Sequence, residues 1–162
     1  MRIRHLLPLL ILSAGLPLFA QIAVKIEPAY PVYMQYDAIH VRVLLRNYTS
    51  HPIAFGSSKN LQGDISFRIM TPSRTIAGLS NPEIHPKLQG VILAPGESRT
   101  FTFNLNNYYA LQDEGLYTVR VLVRHPQLSS AYESNESTFR VRKGSVIWSR
   151  KFGLPDYTGK NQ

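Results

Sequence analysis

Cysteine is absent from the 162-residue sequence, and acidic residues are scarce. Without cysteine the chain has no disulfide framework, no thiol nucleophile and no thiolate ligand for zinc. Ten acidic residues stand against 18 lysines and arginines, which gives a formal charge of +8, and no carboxylates form a recognisable acid–base pair. Because 44% of the residues are hydrophobic and only 17% are charged, we exclude a disordered chain and a coiled coil.

Motifs of the common enzyme classes are also missing. The chain has no G-x-S-x-G, no H-E-x-x-H, no phosphate-binding glycine-rich loop and no dinucleotide fingerprint. His40, His51, His85 and His125 lack the spacing that brings two metal ligands together, and we interpret them as solvated surface residues. The sequence therefore predicts a protein that is not an enzyme and that holds no cofactor and no metal.

The long hydrophobic run is confined to the beginning of the chain. Arg2 and Arg4 precede an apolar stretch, and small and turn-forming residues lead to Ala20, which predicts a secretory signal peptide over residues 1–20. An uncleaved anchor is the alternative, but the apolar part of about 15 residues is shorter than the roughly 20 that a spanning helix needs. We expect a periplasmic or secreted protein with no membrane span after signal cleavage.

Apolar and polar side chains alternate with period two along the rest of the chain. This alternation predicts strands within the following segments: 24–27, 38–46, 64–70, 98–105, 116–124 and 137–142. Turn sequences rich in proline, glycine and asparagine separate them, and only 106–112 could form a helical turn. Strands with one apolar face predict two sheets packed face to face. We therefore predict an all-β, antiparallel two-sheet sandwich of about seven to eight strands over residues 21–143, followed by a basic segment, 144–162, that is partly disordered.

Two local patterns resemble a known family. Leu93-Ala94-Pro95-Gly96-Glu97, followed by Asp113-Glu114-Gly115-Leu116-Tyr117, is similar to the L-x-P-G-E and G-x-Y-x-V region of immunoglobulin-like domains of exported bacterial proteins. The resemblance implies an immunoglobulin-like β-sandwich in which Tyr117 bonds back to the backbone at a strand corner. Tyr36 stands where many of these domains carry glycine. A looser likeness to the bacterial intracellular proteinase inhibitor family lies near Asn47 and in the same Pro-Gly-Glu turn. The fold by itself implies no particular role.

Arginines are concentrated on three of the predicted strands, which share one sheet in an immunoglobulin-like order. Their outward positions carry Arg68, Arg120, Arg124, Arg140 and Arg142. Asp64 is the only acid at these positions, and like charges on neighbouring strands cost stability. The pattern therefore predicts a surface that binds an acidic partner, with Met70 and Leu122 adding apolar contact. The alternative is a solvated basic surface, with Glu133 or Glu136 reaching over from the adjoining loop.

Aromatic residues supply two further candidate contacts. Trp148, next to Arg150 and Lys151, is either a docking residue or part of a last strand that covers a sheet edge. Several tyrosines either line a sugar or peptide site or pack over the ends of the sandwich with their hydroxyls in water; they are Tyr30, Tyr33, Tyr36, Tyr108 and Tyr109.

These features lead to two functional hypotheses. The first is a non-catalytic exported binding or accessory module that contacts an acidic protein or an anionic envelope component through the arginines and Trp148. The second is an inhibitor or chaperone-like protein that engages its partner through a loop or a strand edge. We expect no nucleic-acid partner, because no stacking aromatics are interleaved with the arginines. The sequence leaves the partner's identity and the oligomeric state open.

Overall fold

Ten strands account for most of the computed structural model, which describes residues 20–58 and 61–145. The strands are β1 (Ile22–Pro28), β2 (Val32–Met34), β3 (His40–Asn47), β4 (Ile53–Phe55), β5 (Asp64–Met70), β6 (Val91–Leu93), β7 (Ser98–Asn104), β8 (Gly115–Arg124), β9 (Tyr132–Glu133) and β10 (Ser137–Arg142). A single 3-10 turn, Leu105–Asn107, is the only helical element among the described residues. Nothing in that part of the chain is a helix capable of crossing a membrane.

The strands form two main sheets and one small pair. The first sheet has the order β1-β3-β7, the second has the order β2-β10-β8-β5 with β9 also paired to β8, and β4 pairs with β6. All pairings are antiparallel except that of β2 with β10, which is parallel. The predicted all-β, immunoglobulin-like sandwich is confirmed. Its strands outnumber the predicted seven to eight because four of them have only two or three residues.

The core lies between the two main sheets and follows the predicted alternation. Val41, Val43 and Leu45 on β3 are fully buried, as are alternate residues of β8 from Tyr117 to Val123. The ring of Phe67 on β5 meets that of Phe103 on β7 edge-on, with centroids 5.3 Å apart, so the two sheets touch directly. Burial of these apolar side chains is the main favourable contribution to folding, at roughly 25 cal/mol per Å² removed from water.

The predicted tyrosine corner is present at the start of β8. The Tyr117 hydroxyl donates a 2.9 Å hydrogen bond to the carbonyl of Asp113, and its ring stacks on Phe139 with centroids 5.2 Å apart. Burial raises the pKa of this hydroxyl above its ordinary value. The corner thus fixes the loop before β8 to the strand that follows it.

Asn47 is buried at the end of β3, where it joins three segments of chain. Its Nδ2 donates to the carbonyls of His51 (2.9 Å) and Leu93 (3.0 Å), and its Oδ1 accepts from the backbone N–H and hydroxyl of Thr49. Its backbone exchanges hydrogen bonds with the Pro-Gly-Glu turn before β7, in which Gly96 has φ +76°. A glycine is favoured there because other residues rarely adopt a positive φ.

Two of the five tyrosines differ from the alternative in which all their hydroxyls lie in water. Tyr33 and Tyr109 are buried, and their hydroxyls donate to the backbone carbonyls of His40 (2.7 Å) and Phe67 (2.9 Å). A buried hydroxyl needs such a partner to offset its lost hydration. The chain passes from the first sheet to the second between β1 and β2. The Tyr33 bond to His40 ties β2 of the second sheet to β3 of the first. Tyr33 and Tyr109 therefore make structural contacts, as the packing alternative expected, but their hydroxyls bond to backbone carbonyls and not to water.

Two predicted regions lie outside the described residues. The signal peptide over 1–20 does so except for Ala20, and so does the segment from residue 146 onward, with Trp148. Both stay predictions.

Candidate binding surface

The second sheet carries the predicted arginines on the side that faces away from the core, which we call the arginine face. Arg68 on β5 lies directly opposite Arg120 on β8, and Arg124 lies opposite Asp64. Arg140 and Arg142 follow on β10, opposite Leu116 of β8 and Met34 of β2 respectively. All five predicted side chains therefore share one surface, as the alternation on these strands implies.

Arg68 and Arg120 are balanced by two glutamates. The two carboxylate oxygens of Glu133 each approach one guanidinium group: Oε1 lies 3.8 Å from Nη1 of Arg68, and Oε2 lies 3.8 Å from Nη1 of Arg120. Glu136 accepts two hydrogen bonds from Arg120, at 3.1 Å from Nε and 2.7 Å from Nη2, and this contact raises the pKa of Arg120 above its ordinary value. Asp64 is thus not the only acid on this surface. For these two arginines the glutamates reach over as the alternative described, and whether the surface binds a partner stays a prediction.

Arg124 also has an acidic neighbour, because its Nη1 lies 3.4 Å from Oδ2 of Asp64. Both side chains are more than half exposed, so the pair adds little to the stability of the fold. We call Arg68, Arg120 and Arg124 with their three carboxylates the paired half of the arginine face.

Arg140 and Arg142 differ from the other three arginines. Within residues 20–58 and 61–145, no carboxylate lies within 4.0 Å of either guanidinium. Large apolar side chains are exposed beside them: Val32 (42%), Met34 (44%) and Leu116 (48%). We call these five residues the open half. Val32 and Met34 lie on β2, a strand too short for the sequence to reveal.

A shallow groove lies next to the open half. It has a volume of about 350 Å³ and is lined by Arg68, Met70, Thr118, Arg120 and Glu136. Thr118 lies opposite both Met70 of β5 and Thr138 of β10, and the row of Arg140 and Leu116 follows immediately. The groove therefore belongs to the paired half, and its uncharged lining residues, Met70 and Thr118, lie next to the open half.

His125 is not the solvated surface residue that the sequence suggested. It is buried at the end of β8, where Nε2 lies 2.9 Å from the carbonyl of Ala54 and Nδ1 accepts from the backbone N–H of Gln127. These contacts anchor β4 and the turn after β8, and none of the carboxylates in residues 20–58 and 61–145 bonds to the ring. Across the described ranges, no three His, Asp or Glu side chains are grouped so that they could hold a metal ion.

The edges and loops that would serve the second hypothesis are partly occupied. The outer edge of β5 is covered where Ala77 donates to the carbonyl of Ile69 and Ile76 forms a bridge with Met70. In the 80–92 segment, Pro86 and Leu88 are buried, so this loop is held against the body of the domain. Because this edge and this loop are occupied, the arginine face is the more accessible surface.

Strand order and core define an immunoglobulin-like β-sandwich, with a basic and partly apolar surface on its second sheet. No family model and no curated protein matches the chain. Among solved structures it is similar to the CARDB domain of a Pyrococcus furiosus protein determined by NMR, with 14% identity, a TM-score of 0.46, and coverage of 75% of this chain and 94% of that one. The crystal structure of the same CARDB domain, in complex with di-metal ions, gives 18% identity, a TM-score of 0.47, and coverage of 78% of this chain and 90% of that one.

Proposed function

We propose that this chain is a non-catalytic binding module and that the open half of its arginine face docks on an acidic protein surface. One observation carries the proposal: Arg140 and Arg142 stand side by side on β10 with no carboxylate within 4.0 Å in the described part of the chain, among exposed Val32, Met34 and Leu116. The paired half, where glutamates already occupy the guanidinium groups, plays a secondary role.

The chemistry of the open half favours a protein over other anions. A guanidinium group presents two parallel N–H donors that match a carboxylate. The exposed methionine, leucine and valine side chains next to it stabilise a complex only if the partner covers them with apolar groups. Arginine and methionine are enriched in protein interfaces for these reasons. An anionic polysaccharide would leave the apolar side chains in water.

The site of action is part of the proposal. The basic and apolar pattern of residues 1–20 supports an exported protein that works in the periplasm or outside the cell. Trp148, six positions after Arg142 in the sequence, is a further proposed contact on the partner.

A titration with a defined polypeptide tests the proposal. The probe is poly(Glu,Tyr), a random copolymer with carboxylates and aromatic rings, and the readout is the ¹³C-methyl resonance of each methionine. Met34 lies in the open half and Met70 borders the paired half. We expect the probe to shift the Met34 methyl at concentrations where the Met70 methyl moves less. Raising NaCl from about 50 mM to about 300 mM should weaken binding, because exposed charges are screened.

Charge reversal gives the matched comparison. Arg140→Glu with Arg142→Glu should abolish the Met34 shift and raise the Kd for the probe at this face about tenfold or more. Arg74→Glu with Lys87→Glu changes the same total charge at exposed loop positions and should leave the Met34 shift in place. A Met34 methyl that does not respond to the probe, or that responds equally in the Arg140 and Arg142 variant, contradicts the proposal. Binding to phosphatidylglycerol vesicles but not to poly(Glu,Tyr) would replace a protein partner with a lipid surface.

A further inference from the structure

We infer that the sandwich has a second docking surface for an acidic protein segment, on the outward side of the β1-β3-β7 sheet, and that it can hold two such partners at once. We call this surface the opposite face; it consists of Lys25, Arg42, Leu44, Arg46 and Thr100. The inference rests on the proposed function for the class of partner. The opposite face lies on the first sheet and shares no residue with the arginine face.

Strand register places an apolar side chain at the centre of the opposite face with cations around it. Leu44 on β3 lies between Lys25 of β1 and Thr100 of β7. Arg42 and Arg46 are two residues before and after Leu44, so they project from the same side of β3. Arginine is enriched in protein interfaces, whose rim is polar. An apolar side chain flanked by two arginines, with Lys25 at its border, therefore matches a partner that is acidic and partly apolar.

The cations of this surface are weakly compensated. Among the described residues, only one carboxylate lies within 4.0 Å of the cationic groups of Lys25, Arg42 and Arg46. It belongs to Glu27, whose Oε1 is 3.7 Å from Nη2 of Arg42. Both side chains of that pair are about half exposed, and such a pair is easily replaced by a partner's carboxylate. Arg46 lies 4.9 Å above the ring of Tyr48, which holds the guanidinium over an exposed aromatic surface.

The opposite face also has a recess that a side chain can enter. A groove of about 300 Å³ is lined by Lys25, Glu27, Arg42, Leu44 and Thr100. Its size is close to that of the groove of about 350 Å³ on the arginine face. Each sheet therefore presents a groove bordered by cations and by one exposed apolar residue, Leu44 on one sheet and Met70 on the other.

Two partners can bind together because the two surfaces point in opposite directions. The sheets pack against each other through the core, about 10 Å apart in such sandwiches, and outward side chains of one sheet point away from the other sheet. A partner on one face leaves the other face free. One molecule that holds two acidic segments would join two proteins, or bind one long protein with the gain expected of linked sites.

A capture assay tests the inference on the full chain. Biotinylated poly(Glu,Tyr) on streptavidin beads is saturated with the protein, and fluorescent poly(Glu,Tyr) is then added. We expect the wild-type protein to retain the second polymer on the beads while it is monomeric by sedimentation velocity. Arg42→Glu with Arg46→Glu should still bind the beads but lose at least nine tenths of the captured fluorescence. Arg74→Glu with Lys87→Glu is the charge-matched control and should capture as the wild type does.

The pattern of losses separates this inference from the proposed function. If both surfaces bind, the Arg42 and Arg46 variant and the Arg140 and Arg142 variant each keep bead binding and each lose capture. If only the arginine face binds, the Arg140 and Arg142 variant loses bead binding altogether, and the inference fails while the proposed function holds. If only the opposite face binds, the Arg42 and Arg46 variant loses bead binding and the proposed function fails. A wild-type protein that captures only as a dimer, or an Arg42 and Arg46 variant that captures normally, also overturns the inference.

Discussion

The side-chain amide of Asn135 brackets the backbone of Ile26 on β1. Its Oδ1 accepts from the Ile26 N–H at 3.0 Å, and its Nδ2 donates to the Ile26 carbonyl at 3.1 Å. The amide thus takes the place of a neighbouring strand on the outer edge of the first sheet. An exposed edge strand can pair with other chains, and this contact occupies the edge at Ile26. It also fastens the loop before β10 to β1.

Replacing Asn135 by aspartate should therefore destabilise the protein. The carboxylate keeps the acceptor for the Ile26 N–H but puts an oxygen against the Ile26 carbonyl, so we expect a loss of about 1–2 kcal/mol in the free energy of unfolding. Urea denaturation measures it. Asn107→Asp, at an exposed position, is the control and should change stability by less than about 0.5 kcal/mol. Equal effects of the two substitutions would show that the Ile26 contact contributes nothing.

Glycine at position 36 should stabilise the protein. Tyr36 has φ +74° in a turn closed by a 3.0 Å bond from the Asp37 N–H to the Met34 carbonyl, and its side chain is largely exposed. This conformation costs a non-glycine residue about 1–2 kcal/mol, and glycine avoids that cost. Glycine also has more conformational freedom in the unfolded chain, which reduces the gain in stability. We expect a net gain of about 0.5–1 kcal/mol for Tyr36→Gly. Tyr36→Ala keeps the unfavourable φ and should show no gain; a gain of the same size for alanine contradicts this account.

Gly63 and Gly78 should respond differently to alanine. A Cβ at Gly63 would lie 2.4 Å and 2.6 Å from two atoms of the Phe55 ring and 3.1 Å from His125, whereas at Gly78 it meets nothing within 4 Å. Because Phe55 is buried, its ring has little room to move, and we expect Gly63→Ala to cost about 1–3 kcal/mol. Gly78→Ala should cost less than about 0.5 kcal/mol. Thermal unfolding of both variants provides the measurement, and similar midpoints would contradict the prediction.

Alkaline pH should remove the stabilising contribution of Tyr117. Burial raises the pKa of this hydroxyl above its ordinary value of 10.0, so the unfolded chain releases the proton first as the pH rises. The contribution is complete below about pH 10 and falls as the pH approaches the folded-state value. Tyr117→Phe should be less stable than the wild type by about 1 kcal/mol at neutral pH, through loss of the bond to Asp113. Urea unfolding at several pH values should show this difference shrinking above about pH 10; a constant difference would contradict it.

The long strands could be predicted from the sequence and the short ones could not. The strands 64–70 and 137–142 have the predicted bounds. A run of six or seven alternating residues is long enough to indicate a strand and its buried face. β2 and β9 have three and two residues, too few to show any period. β2 forms because it pairs with β10, about 100 residues later in the chain, and β9 forms because it pairs with β8, about 10 residues earlier. The residues of so short a strand do not reveal its partner.

The sequence predicted which arginines share the candidate surface, but it left two alternatives for their charge balance. Alternation alone placed Arg68 and Arg120 on one face. Their charges are balanced by Glu133, which lies near both because β9 pairs with β8, and by Glu136, which bonds to Arg120. His125 was misjudged for a similar reason: its partners, the carbonyls of Ala54 and Leu61, come from more than 60 residues away in the sequence. Long-range contacts decide both outcomes.

The parallel pairing of β2 with β10 determines how the sandwich responds to force. A pull on the chain entering β2 and on the chain leaving β10 slides the two strands lengthwise past each other. The bonds from Arg140 N–H to the Pro31 carbonyl and from Gln35 N–H to the Arg142 carbonyl, 2.9 Å and 2.7 Å long, are then loaded in shear and must break together. An antiparallel pair pulled from adjacent ends would instead unzip bond by bond. Tension in this direction should therefore meet high mechanical resistance, and force spectroscopy that found no more resistance along the strands than across them would contradict it.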